Sequence, residues 1–287
     1  MRWKRARRSD NVVDARSGGR GLRVGGGLGL GGIAIVVVLS LMMGQDPLQI
    51  LGQLAGPGGT PGVGQQAAPP SADDPHSQFV RAMLGDTEDT WDALFAQAGG
   101  QYEHPRLVLF SGGVNSACGF ASSAVGPFYC PADRQVYLDL QFFAELEQRF
   151  GAAGDFAQAY VIAHEVGHHV QTLLGISRQV EAARQRGEPI EGAGGLLVRQ
   201  ELQADCLAGV WAHHAQRRLD WMEEGDLEEA LNAASAIGDD RLQKRTQGQV
   251  VPDSFTHGSS AQRVRWFRIG FDSGEAGRCD TFEAARL

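Results

Sequence analysis

Cysteine is scarce in this chain, and what there is forms no structural-zinc pattern. Four cysteines are spread over 287 residues, and Cys118 and Cys130, the nearest pair, are separated by eleven others. That is not the spacing at which thiolates share a zinc. No segment repeats, which excludes a solenoid or a propeller. Positive charge is in deficit, with a net charge of −8, so the chain as a whole is not built to neutralise nucleic acid. Proline is thin except in 45–78, which holds six of the eleven prolines and few large apolar residues. That composition reads as a linker that cannot bury a core. Long apolar runs are missing too, with one exception.

The exception is Val24–Gly44, 21 residues without a charge, centred on Ile33–Met43. It is long enough to cross a hydrocarbon core as a helix, although six glycines between 25 and 32 thin its first half. Residues 1–24 carry eight Lys and Arg against Asp10 and Asp14. Basic residues before an apolar span keep the N-terminus in the cytoplasm. No small-residue cleavage site follows Met43, so an uncleaved anchor is expected rather than a signal peptide. The expected organisation is a basic cytoplasmic arm (1–24), a transmembrane anchor (25–44), a linker (45–78) and an extracytoplasmic domain (79–287). The implied location is the cell membrane, crossed once, with a membrane-protein partner left open.

Within the body, His164-Glu165-Val166-Gly167-His168 is the most informative stretch. Positions four apart lie on one helix face, so His164 and His168 can hold one Zn²⁺, while Glu165 reaches the water that the metal activates. A catalytic zinc needs a third protein ligand. Glu201 and Asp205, again four apart on an apolar helix, offer Glu201 as that ligand. Asp205 is then the acceptor that fixes a ligand histidine's tautomer; the plain alternative is a solvated acidic face.

The rest of the body reads in order. Phe79–Ala98 is helical but broken at Gly85-Asp86, with Asp86 capping a second helix. Runs 106–110, 126–130 and 135–140 are β-prone and read as a small antiparallel sheet, with 136–140 as the exposed edge. Helices follow at 142–150, 156–174, from Glu201, and at 226–237, with 176–198 as a mobile excursion. Trp266, Phe267 and Phe271 must pack back on the body. An even cysteine count in an exported domain suggests disulfides: Cys118–Cys130 across a hairpin, and Cys206–Cys279 by elimination. Four buried thiols are the alternative. His169 points off the metal face and reads as packing or surface; His213 and His214 read as a solvated face, and Asp239-Asp240 as a cap or turn.

His164–Gln171, Glu201–Trp211, Ala236–Gln243 and Ser254–Ser260, with Met1–Lys4 and Ser9–Val12, resemble the neutral zinc metallopeptidase family of bacterial membrane-anchored proteins. The resemblance covers nearly the whole chain outside the linker. It implies an α+β, zincin-like metallopeptidase domain, mainly helical with a small antiparallel sheet. Its implied site is one Zn²⁺ on His164, His168 and Glu201, with Glu165 as base. It also puts His257 and Arg263 in a T-H-x-x-x-x-x-R element that would stabilise an oxyanion. The approach to Glu201, Gly192–Leu196, is more glycine-rich than the family pattern. The expected activity is endopeptidase cleavage of a peptide or protein substrate, with no role for nucleic acid. Alternatives are a cell-wall peptide amidase and a catalytically silent, zinc-stabilised membrane scaffold. An intact Glu165 beside intact ligands argues against the scaffold.

Overall fold

The computed structural model describes residues 1–16 and 74–287. The expected anchor at 25–44 and most of the expected linker lie outside the described residues, among which no helix is long and apolar enough to cross a membrane.

Residues Met1–Arg16 are not an arm apart from the body; they form one compact unit with the described residues from Asp74 onwards. Strand β1 (Val12–Asp14) pairs in parallel with β2 (Arg106–Phe110). The folded body also begins before Phe79: helix α1 runs unbroken from Pro75 to Gln97. Asp74 caps it by accepting from the backbone N–H groups of His76 and Ser77, with Pro75 at the first helical position. Gly85 does not break this helix. A Cβ there would lie 2.7 Å from the Arg7 carbonyl oxygen, so glycine is what lets the N-terminal segment lie against α1. Asp86 is no cap either. It is buried, accepts from the Trp211 indole at 2.9 Å and pairs with Arg218.

The sheet is mixed rather than antiparallel. Its order is β1, β2, β6 (Gln135–Asp139), β5 (Phe128–Cys130). The pair β2/β6 is parallel and β5/β6 antiparallel. Parallel neighbours need a long crossover, and 111–134 supplies it, carrying a separate antiparallel hairpin of β3 (Gly113–Ser116) and β4 (Gly119–Ser122). Strand 135–139 is therefore interior, and the edges are β1 and β5.

Helix α2 (Gln141–Gln148) leads to α3 (Asp155–Leu173), which is buried on nearly every side and contacts α1, β5 and later helices. The carboxylate of Glu229 accepts from the Phe156 N–H at 3.0 Å, which satisfies a first-turn donor that Gly154 has no side chain to cap. Part of the expected excursion is helix α4 (Ile176–Gln185). Then come α5 (Leu196–Leu219), α6 (Asp226–Ala236), α7 (Asp239–Gln247) and α8 (Ser260–Ser273). Helix α8 starts on a Ser259/Gln262 capping box and packs along α5, burying Trp266 and Phe267. His213 and His214 are half-buried and face the Phe271 and Gly274 carbonyls rather than solvent. Both disulfides form as expected, Cys118–Cys130 and Cys206–Cys279. The second fastens the C-terminal tail to α5.

Candidate metal centre

Helices α3 and α5 cross where neither carries bulk. A Cβ on Gly167 would sit 3.0 Å from the Ala204 carbonyl oxygen and 3.1 Å from its Cα. Glycine in the middle of the histidine motif thus sets how closely Glu201 approaches the two imidazoles.

His164 Nε2 lies 3.2 Å from Glu201 Oε2, and His168 Nε2 lies 3.4 Å from Glu201 Oε1. One ligand atom from each of the three residues falls within 4.8 Å of the others. Zinc bonds of about 2.0–2.1 Å at a tetrahedral angle separate neighbouring ligand atoms by roughly 3.3 Å. The donor set therefore fits one zinc in chemistry, and both imidazole–carboxylate distances match that spacing.

Both ring tautomers are set from behind. His164 Nδ1 donates to Asp205 Oδ1 at 2.9 Å, and His168 Nδ1 donates to Gln171 Oε1 at 2.9 Å. The Gln171 amide is itself oriented, because its nitrogen donates to the Gln200 carbonyl and to Gln203 Oε1. Each Nε2 is left facing Glu201. Sequence reasoning found Asp205 but missed Gln171; the signal available was a buried glutamine three residues after the second ligand.

Asp205 is fully buried and saturated. Its Oδ1 also accepts from the Tyr160 hydroxyl and Arg263 Nη2, and its Oδ2 from Arg263 Nε at 2.9 Å. Arg263 is 2 % exposed and donates as well to the Tyr160 oxygen at 3.1 Å. This corrects the expected oxyanion role. The Arg263 guanidinium borders the cleft, but two of its nitrogens are committed to Asp205, so it holds the carboxylate that holds His164. Tyr160, read from sequence only as part of the helix lead-in, belongs to the same network.

The electrostatics match this arrangement. Burial opposes charge on His164, but Asp205 and Glu201 overcome it and push its pKa up to about 10. Burial would raise Glu201, yet His168 and His164 hold it well below the usual carboxylate range. Glu165 goes the other way: burial raises it, against the opposing pull of the two histidines. Among the described residues no hydrogen bond reaches the Glu165 carboxylate, so it is available to a water.

His257 sits in the loop before α8 and borders the same cleft. Asp239 Oδ2 accepts from the backbone N–H groups of Thr256, His257 and Gly258 at 2.7, 2.7 and 3.0 Å, while its Oδ1 lies 3.3 Å from His257 Nδ1. Burial pulls the His257 pKa down, but Asp239 and Glu201 prevail and raise it. The turn role expected of Asp239 is thus real, and it also positions a histidine at the cleft.

The cleft has a volume of about 590 Å³ and runs past all three ligands. Val161, Phe142, Phe150, Ile237 and Leu242 make an apolar wall, and β5 borders it. The edge strand is fastened to the metal helix through His169. This residue is fully buried, with Nε2 donating to the Glu103 carbonyl at 2.6 Å and Nδ1 facing the Tyr129 hydroxyl at 3.0 Å. His169 is not a ligand, as its rotation on the helix implied; it joins α3 to β5.

Comparison with known proteins agrees with this geometry. The family described as "putative neutral zinc metallopeptidase" matches residues 1–282. The uncharacterized protein YpfJ of Escherichia coli K12 is 48% identical over 287 residues, covering 98% of this chain and 99% of its own. The uncharacterized protein Mb2605 of Mycobacterium bovis is 45% identical over 221 residues, covering 74% and 73%. No solved structure matches.

Proposed function

Because the chain belongs to the neutral zinc metallopeptidase family, we propose that it is a zinc-dependent endopeptidase acting on extended peptide segments. The observation that carries this is a buried carboxylate, Glu165, without a hydrogen-bond partner among the described residues, beside three convergent candidate ligands and open to the cleft. His164, His168 and Glu201 would hold Zn²⁺, which when bound would supply a Lewis acid for the scissile carbonyl and lower the pKa of water at the site. Glu165 takes the proton from the attacking water and delivers it to the leaving amine nitrogen as the C–N bond breaks. His257, held by Asp239, donates to the carbonyl oxygen as charge develops there. Edge strand β5 offers backbone groups for pairing with an extended substrate. In this reading the body works outside the cytoplasm, where its two disulfides persist, and it is attached to the membrane through 25–44.

Two results are expected. Zinc-loaded protein cleaves unfolded casein, loses that activity to a chelator and regains it with zinc. Cleavage of cell-wall stem peptides but not casein moves the assignment to the amidase, and cleavage of neither rejects hydrolysis. His257→Ala keeps its zinc and its melting temperature but loses roughly 10²–10³ in kcat with little change in KM, the scale of one preorganised donor. Wild-type kcat in that variant removes His257 from the mechanism.

A further inference from the structure

We infer that residues 1–16 and the catalytic body lie on the same side of any membrane the chain touches, so 17–73 cannot be a single crossing between them. The sequence alone points the other way, with a basic arm kept inside and a body exported. The structure makes the arm part of the fold.

Strand β1 is a register-specific member of the sheet, with Val12 opposite Leu107 and Asp14 opposite Leu109. Hydrogen-bonded neighbours in a sheet lie about 4.8 Å apart, whereas the hydrocarbon core of a bilayer is about 30 Å thick. One strand cannot sit across a bilayer from the next.

The polar contacts agree. Glu88 on α1 is 1 % exposed, and its carboxylate accepts from Arg7 Nη2, Ser9 Oγ and Asn11 Nδ2, each at 2.7 Å. All three donors come from the N-terminal segment. Without that segment the Glu88 carboxylate would lose all three of these hydrogen bonds and keep only His104 Nδ1, at 3.9 Å. The N-terminal ammonium of Met1 lies 3.3 Å from Glu223 and 3.4 Å from Asp226. Arg16 Nη2 reaches Asp74 at 2.8 Å and the Ser77 hydroxyl at 2.6 Å, so Arg16 and Asp74, the described residues on either side of 17–73, are in direct contact.

This gives the arm's positive charges a second role. In an unfolded chain they are a cytoplasmic-retention signal. In the folded protein Arg7 and Arg16 pair with acids of the arm and of α1 and its cap. Membrane attachment through 25–44 then requires an even number of crossings or insertion from one face. The inference is independent of the proposed peptidase activity.

The test is thiol accessibility in intact cells that express the full chain. Lys4 and Glu275 are exposed positions, one in the arm and one in the body, and each is replaced singly (Lys4→Cys, Glu275→Cys). A membrane-impermeant maleimide is applied before and after lysis. Matching behaviour of the two positions, both labelled in intact cells or both protected until lysis, is the expected result. One labelled and the other protected overturns the inference, whatever the activity of either variant.

Discussion

Glu165→Gln is expected to retain a single zinc per chain and to lose roughly 10²–10⁴ of kcat, the range for removing a positioned general base. The substitution is close to isosteric. Glu165 is 8 % exposed and accepts no hydrogen bond among the described residues, so replacing its carboxylate leaves none of their donors stranded and stability should change little. The residue is outside the convergent ligand set of His164, His168 and Glu201, so metal affinity should survive. Zinc content by mass spectrometry, melting temperature and peptide turnover on one preparation separate these effects. A zinc-loaded, folded Glu165→Gln variant with wild-type turnover would rule out the general-base role. Loss of zinc would instead make Glu165 part of the coordination.

Arg263→Ala carries the largest expected cost in stability, about 3–5 kcal/mol, the scale for removing one partner of a buried ion pair. Asp205 is fully buried and loses two charge-assisted hydrogen bonds from Arg263, while the Tyr160 hydroxyl loses one. Total stabilities of about 5–15 kcal/mol make that loss a large fraction of the whole. Arg263→Lys should recover only part of it, because one ammonium cannot span both Asp205 oxygens as the planar fork does. The effect should reach the metal as well, since Asp205 orients His164. Urea unfolding of metal-free and zinc-loaded protein measures both. A loss below about 1 kcal/mol in the metal-free protein would mean that the Asp205 network is not held by Arg263.

The candidate metal site was legible in the sequence because its information is local. His164 and His168 share a helix face by spacing alone, and so do Glu201 and Asp205, so each pair is fixed before the helices meet. What lies between helices was not legible. Gln171 supports His168 only because Gln203 and the Gln200 carbonyl orient its amide, and no spacing rule contains that. Arg263 was identified through the family element, yet its contacts put it behind His164 rather than over the substrate. Gly85 looked like a helix break, since a glycine within a helix and a glycine at a break read alike until the neighbour appears. Strands of three to five residues hold little register information, so the parallel β1/β2 and β2/β6 pairings and the interior position of 135–139 stayed hidden. The arm was misread for a related reason: its charges signal topology in an unfolded chain and pair with acids once folded.

The central claim is that His164, His168 and Glu201 bind one catalytic zinc. The most direct measurement is anomalous diffraction from a crystal, recorded on both sides of the zinc absorption edge. The account predicts a single strong peak about 2.0–2.2 Å from His164 Nε2, His168 Nε2 and a Glu201 carboxylate oxygen, with none at Glu165. A peak lacking Glu201 as a neighbour, or no peak at this site in fully zinc-loaded protein, would contradict it.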